Sequence, residues 1–484
     1  MDFVSSLALI APELVLGVSG LVLLLVAAWG GDRASRAVNY LTIIAIIAAA
    51  GLTASVLFSG TRAEAFAGQM QVDAFSAFAK LLVYASAIGS LLVAPPFFER
   101  MRAMRVEYPV LVLFAVLGMG IMVSSGNMLT LYIGLEMTSL ASYVLAAFLP
   151  DSRRSAEAGL KYFVLGSLAS GFLLYGMSLT YGFTGTTSFA GISAATAAGL
   201  SNGALFGLIF MLAGLAFKIS AVPFHMWTPD VYEGAPTPVT MFFASAPKVA
   251  AMALTMRVVF EAFGTQVWAW QQIVIFASLA SIVVGALGAI GQDNIKRLLA
   301  YSSINNVGFI LIGLAAATPQ GASGMLVYLV IYVAMTLGSF AAVQMLRDAD
   351  GNPVESIAQM AGMSTYRKVL SACLAMIMFS LAGIPPLFGF WGKFVVFQAA
   401  VDAGLVPLAF IGIAASVIGA FYYLKVVKVM YFDTPVDGIT GQSGWEPKLV
   451  LGVSALVVSP LGYLLTGCLG YWADMAASVL FPIA

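Results

Sequence analysis

The sequence predicts an all-α polytopic membrane protein of about fourteen transmembrane helices, on three observations. Hydrophobic residues make up 61% of the 484-residue chain and charged residues 9%, with a mean hydropathy of +0.98. A soluble core runs out of interior volume before it hides that much apolar surface. Apolar runs long enough to cross ~30 Å of hydrocarbon recur along the whole chain. Basic residues gather in alternate loops. Net charge is zero and no long Lys/Arg block occurs, so nucleic acid and other polyanions are not indicated as partners.

With a window of about 19 residues, the apolar segments fall near 8–29, 38–59, 74–96, 108–124, 127–149, 157–182, 203–222, 237–262, 268–290, 296–317, 324–346, 365–401 in two pieces, 405–431 and 448–471. The first is read as a retained span rather than a signal peptide, because its flank MDFVSS is acidic, not basic. Loops after odd-numbered segments carry Arg33, Arg36, Arg100, Arg102, Arg105, Arg153, Arg154, Lys296, Arg297, Arg347, Arg367, Lys368 and Lys448, with Lys425 and Lys428 near the end of the thirteenth segment. The opposite loops offer essentially Arg62. The positive-inside rule then places both termini outside. Cys373 and Cys468 lie far apart in apolar runs; they read as buried small hydrophobes, not a disulfide framework.

An internal repeat shows at an offset of about 165 residues. Gly126 opens GNMLTLYIGLEMTSLASYVLAAF, and Gly291 opens GQDNIKRLLAYSSINNVGFILIGL with a similar polar cluster and apolar exit. At nearly the same spacing, the interruption at Pro223 meets the one at Pro385 and Pro386. Units of five helices, an odd number, insert with opposite topology. The expected organisation is 1–107 for helices one to three, 108–266 and 267–432 for the two inverted repeats, and 433–484 for the last helix. Proline removes a backbone donor and clashes with the preceding turn, so segments seven and twelve should be broken. The freed backbone groups need protein or water as partners, which predicts two hydrated half-channels.

Glu136, Lys161, Lys218, Lys248 and Lys393 interrupt otherwise continuous apolar stretches. Each costs roughly 2.5–3.5 kcal/mol at bilayer depth on insertion scales, which makes them the candidate site. Snorkelling to the surface is the bland alternative; it suits Lys80, near a segment end, competes evenly for Lys161, and suits Lys218 and Lys248 poorly. Tyr132, Ser139 and Tyr143 recur with Glu136 on one helical face, and Lys218 is the expected partner of that carboxylate. His225 in the first break, with Tyr301, Ser302, Ser303, Asn305 and Asn306, could hold water between the lysines; helix-packing glue is the alternative for the Ser and Asn groups. His225 is the single histidine, which excludes a histidine-based metal site. Dinucleotide and P-loop fingerprints, CxxC pairs and a haem ligand pair are absent from the sequence.

Lys218 followed by VPFHMWTPDVYEGAPTPVT, then SAPKVA, QDNIKRLLAYSSINNVGF and GIPPLFGFWGKF, resembles the antiporter-like membrane subunits of respiratory complex I, the proton-translocating NADH:quinone oxidoreductase. The resemblance covers roughly residues 70–430. Three subunits of that enzyme share these motifs. Lysine at 393 and the compact length are most similar to the one that has neither a long lateral helix nor glutamate at that position. Asn306 departs from the histidine of many relatives, which puts a relay role there in doubt. The resemblance implies Glu136 and Lys218 as an input pair, Lys248 as central carrier, Lys393 as terminal site and Lys161 as a tuning group. It also implies that other subunits bind the FMN, iron–sulfur clusters and quinone, and that this chain carries no cofactor. Its partners would be other membrane subunits, the bilayer and protons, in a bacterial inner membrane with both termini periplasmic. Two rival readings are a subunit of a multisubunit cation/proton antiporter and a purely structural spacer.

Overall fold

The computed structural model describes residues 3–436, 439, 441 and 444–481. It is almost wholly helical. In chain order the helices are α1 (Phe3–Leu9), α2 (Ala11–Gly30), α3 (Ser35–Ser59), α4 (Ala74–Arg100), α5 (Glu107–Val123), α6 (Met128–Ala146), α7 (Arg153–Thr184), α8 (Phe189–Thr196), α9 (Asn202–Ile219) and α10 (Trp227–Gly234). They continue with α11 (Thr237–Arg257), α12 (Val267–Ile290), α13 (Ile295–Ala315), α14 (Pro319–Met345), α15 (Lys368–Ala382), α16 (Phe388–Asp402), α17 (Val406–Phe432), α18 (Trp445–Val458) and α19 (Thr466–Ser478). A small antiparallel hairpin of β1 (Ala63–Ala65) and β2 (Met70–Val72) precedes α4.

Among the described residues, ten helices are long and apolar enough to cross a membrane, or twelve if each of two bent pairs is one span. That count takes Ala11–Ser59 as one, although α2 and α3 pack against each other across a tight turn. The apolar α5 is shorter than these.

Local chemistry sets the helix starts. Asp73 caps α4 by accepting from Ser76 N (2.7 Å) in a reciprocal capping box. Asn127 caps α6 by accepting from Leu129 N (2.8 Å), and Asn294 caps α13 by accepting from Lys296 N (2.9 Å). Small residues set the helix crossings: a Cβ on Gly118 would stand 2.7 Å from Gly134 O, and one on Gly176 2.6 Å from Gly207 O. With lipid outside, such close backbone approach supplies much of the packing energy.

The prolines break two helices as expected. α9 stops at Ile219 and α10 starts at Trp227, around Pro223; α15 stops at Ala382 and α16 starts at Phe388, around Pro385 and Pro386. All three prolines are exposed at the side of the isolated chain. The cysteines depart from expectation: Cys373 is partly buried, and Cys468 is exposed on an apolar face rather than in the core.

Candidate functional site

α11 and α13 are buried on nearly all sides and form the axis of the bundle. On α11, Lys248 is 1% exposed. Its Nζ reaches Ile219 O at 3.5 Å and lies 5.7 Å from the Tyr232 ring centroid. Ile219 is the last residue of α9, so the acceptor is a carbonyl that a continuous helix would have used itself. Lys393 on α16 is placed in the same manner across the second break. It is buried, donates to Ala382 O (3.1 Å) at the end of α15 and to Ser416 Oγ (3.0 Å), and lies 4.4 Å from the Phe309 ring centroid. Each break therefore presents a backbone acceptor to a buried ammonium.

Lys218, partly buried next to Ile219, donates to Ser139 Oγ (2.8 Å) and reaches Ser170 Oγ at 3.5 Å. The expected direct pair with Glu136 is corrected here: the ammonium meets Ser139, one turn further along α6, and not the carboxylate. Glu136 Oε1 is buried with no hydrogen-bond partner among the described residues. No carboxylate lies within ion-pair distance of Lys218, Lys248 or Lys393 among the described residues.

Two hydroxyl clusters that the sequence showed only in part are centred on α13, which packs against both α11 of Lys248 and α16 of Lys393. Ser303 and Tyr332 share a hydrogen bond (2.6 Å), as do Ser302 and Tyr423 (2.5 Å); Tyr328 donates to Asn306 Oδ1 (2.8 Å), and Asn306 Nδ2 reaches Tyr423 Oη (3.3 Å). Asn305 instead donates to Ile282 O (2.8 Å) and ties α13 to α12. A small cavity of about 10 Å³ is lined by Ala244, Ser302, Ser303, Tyr332, Thr336 and Leu381 among others, near the space one water needs. Ala244 lies one turn from Lys248, and Leu381 adjoins Ala382, so this cavity touches both lysine environments. Tyr301 joins neither cluster: it is partly buried and packs against Gly288.

Two other expected groups sit elsewhere. Lys161 belongs to an ion network, pairing with Glu157 (2.8 Å) and Asp230 (2.6 Å), while Arg297 pairs with Asp230 (2.7 Å) and Glu233 (3.0 Å). These charges line a cleft of about 190 Å³. A neighbouring cleft of about 550 Å³ shares Arg154 and Glu233 with it. Lys161 is thus a vestibule residue at the end that carries the basic loops, not one of the isolated buried lysines. His225 is partly buried beside the exposed Met226, and its Nδ1 has no partner among the described residues. The first break is closed instead by protein groups, with Ser281 Oγ accepting from Val222 N (2.9 Å) and Trp227 Nε1 donating to Phe217 O (3.0 Å).

Two buried clusters escaped the sequence reading. Arg257 is fully buried and donates to both carboxylate oxygens of Asp73 (2.9 and 2.8 Å), to Val123 O (2.9 Å), to Gln71 (2.6 Å) and to Glu261. Lys80, expected to snorkel, is instead buried and lies 2.5 Å from Glu13 Oε1.

A membrane bundle with two broken helices and lysines poised at each break defines an antiporter-like ion-translocating fold. Residues 125–419 match the family described as NADH:quinone oxidoreductase/Mrp antiporter, transmembrane, and the chain belongs to that family. A relative in Erythrobacter litoralis, named NADH-quinone oxidoreductase subunit N, is 65% identical over 484 residues and is covered, like this chain, over 99% of its length. A chain of the solved respiratory complex I from Thermus thermophilus with bound aureothin superposes with a TM-score of 0.81 at 31% identity, over 96% of this chain and 99% of that one. A chain of the Mrp complex from Dietzia sp. shares the fold, with a TM-score of 0.84 at 22% identity over 99% of this chain and 98% of that one.

Proposed function

We propose that the chain is a proton-translocating membrane subunit of NADH:quinone oxidoreductase, in the place that subunit N holds among its relatives. The observation that carries this reading is the series Lys218, Lys248 and Lys393, held by hydroxyls and break carbonyls, with the Tyr332–Ser303 and Tyr423–Asn306–Tyr328 contacts on the axial helix beside it. An ammonium held only by neutral acceptors gives up its proton more readily than one locked to a carboxylate. Glu136 and Lys218 receive the signal, Lys248 carries the proton inward along the axis, and Lys393 passes it toward the far side, with Lys161 in the vestibule that feeds the series. No redox step occurs in this chain; the FMN, iron–sulfur clusters and quinone belong to partner subunits. Carrying one charge against 100 mV costs about 2.3 kcal/mol, so a modest displacement of the Glu136 charge suffices as a trigger.

The finer architecture belongs to the same proposal. Counting α2 and α3 separately, α5 as a short span, and α9–α10, α15–α16 and α18–α19 as broken spans gives fourteen. Repeat units at 108–266 and 267–432, flanked by 1–107 and 433–484, are supported by matching detail: Asn127 and Asn294 both cap helices and bridge to Ser188 and Ser356 respectively. α5 packs on α6 as α12 packs on α13, and α7 packs on both halves of the broken α9–α10 as α14 does on both halves of α15–α16. The basic loops assign the vestibule to the cytoplasm and both termini to the periplasm of a bacterial inner membrane.

The cation/proton antiporter reading is not favoured, because the likeness to the Mrp chain lies at 22% identity and carries the fold alone. Co-purification of the tagged chain with inhibitor-sensitive NADH:quinone reductase activity is the expected result; recovery with sodium/proton exchange alone would favour the rival. In assembled complex, Lys218→Ala is expected to abolish pumping and turnover together, and a normal proton-to-electron ratio would refute the assignment.

A further inference from the structure

We propose that Glu13, Lys80 and Tyr84 form a second, hydrated proton-holding site in the N-terminal helices, outside the lysine series and near the end of the bundle opposite the basic loops. The proposal rests on the proton-translocating reading above and assigns a new site to it.

Glu13 sits in the first turn of α2 and Lys80 two turns into α4, where their side chains, each about 5% exposed, meet at 2.5 Å. Glu13 Oε2 and Tyr84 Oη have no hydrogen-bond partner among the described residues. Gly120 on α5 closes the site: a Cβ there would lie 3.3 Å from Glu13 Oε1 and 3.9 Å from Tyr84 Oη. Thr53 on α3 stands beside Tyr84, its hydroxyl donating to Ala49 O (2.9 Å). Three helices, α2, α4 and α5, thus meet at one carboxylate that is incompletely satisfied, and α3 flanks Tyr84.

A staple between helices does not need this chemistry. Buried ion pairs are often no more stabilising than apolar residues of the same volume, and they hold best when every remaining lone pair is hydrogen-bonded, which Oε2 is not. Buried polar atoms left over in this way are the sites that bound water satisfies. An ionisable pair within membrane helices is rare, costly and by default a functional-site hypothesis.

The pair also has a polar route to the bundle end. Asp73, Lys80 and Tyr84 are seven and then four residues apart on α4, which places them on one face of the helix. Asp73 is bound by Arg257, and Arg257 by Gln71 and the partly exposed Glu261. Ionisable groups therefore line up from the edge of the bundle to Tyr84, at the end where α2 and α4 begin. In the step proposed, Lys80 Nζ transfers one proton to Glu13, leaving a neutral amine and a neutral acid. The acid releases that proton to water on the Asp73 side, and the amine takes the next one from water in the bundle interior.

The test is redox-induced infrared difference spectroscopy of the intact complex, together with NADH-driven turnover in proteoliposomes. A carboxyl band present in the native complex should vanish in Glu13→Gln and return, shifted, in Glu13→Asp. Coupled turnover should fall roughly tenfold in Glu13→Gln. Should that variant fail to assemble, the double variant Glu13→Gln with Lys80→Met, which leaves no lone charge, is read in its place with the same expectation. Native spectra and turnover in an assembled variant would overturn the proposal. Loss of pumping in Lys218→Ala alongside that result would leave the lysine series standing and remove only this site.

Discussion

Gly383→Ala offers a graded way to disturb the terminal lysine without deleting it. Gly383 has φ +82°, a left-handed conformation in which a side chain costs about 1–2 kcal/mol. The added Cβ would stand 2.9 Å from Lys393 Cδ, 3.2 Å from Nζ and 3.3 Å from Cε, so the lysine must swing away from Ala382 O and Ser416 Oγ. A hydrogen bond to a charged group contributes about 1.5–3 kcal/mol. Losing one lowers the population of the held geometry about ten- to a hundredfold, at about 1.4 kcal/mol per decade. Gly404→Ala is the matched control: its φ is +78°, and nothing lies within 4 Å of an added Cβ. NADH-driven proton uptake by proteoliposomes of assembled complex should fall about ten- to a hundredfold for Gly383→Ala relative to Gly404→Ala. Equal rates for the two variants would refute the role given to the Lys393 geometry.

Other expectations follow from the contacts. Asp73→Ala removes the bidentate partner of the fully buried Arg257, which keeps Glu261, and removes the cap of α4, for a combined loss of about 2.5–4 kcal/mol. Asp73→Ser keeps a cap and should be about 1 kcal/mol less damaging. Thermal unfolding in detergent reads this series, and a native Tm for Asp73→Ala would contradict it. Ser139→Ala removes the 2.8 Å partner of Lys218 and should slow coupled turnover more than Ser170→Ala, whose contact is 3.5 Å; the reverse ranking would count against Ser139 as the link to Glu136. In a Cys468→Ala background, Arg62→Cys should react with an impermeant thiol reagent from outside and Arg153→Cys should not, and the opposite pattern would invert the topology.

Much of this architecture is legible in the chain because it depends on local chemistry. Proline cannot continue a helix, so the breaks at Pro223 and at Pro385–Pro386 follow from sequence alone. A lysine amid apolar residues likewise announces itself, as Lys248 and Lys393 do. Partnerships between helices were harder to read. Ser139 takes Lys218 from Glu136 because the rotations of α6 and α9, invisible in sequence, bring the hydroxyl closer. Lys161 lies in an apolar run, yet α10 folds back to set Asp230 beside it. Lys80 and Glu13 each stand near the end of a span, where snorkelling suits either one taken singly; only the packing of α2 on α5 and of α4 on α5 shows the pair. Tyr328, Tyr332 and Tyr423 read as ordinary apolar filler until their hydroxyls meet Asn306, Ser303 and Ser302.

The most direct measurement on the lysine series is the proton-to-electron ratio of the complex bearing Lys248→Met, reconstituted in vesicles and driven by NADH. Lys248 stands between the other two lysines, so its loss is expected to stop proton transfer through this subunit, with a lowered ratio or turnover that falls together with pumping. A native ratio at native turnover would contradict a proton path through these lysines.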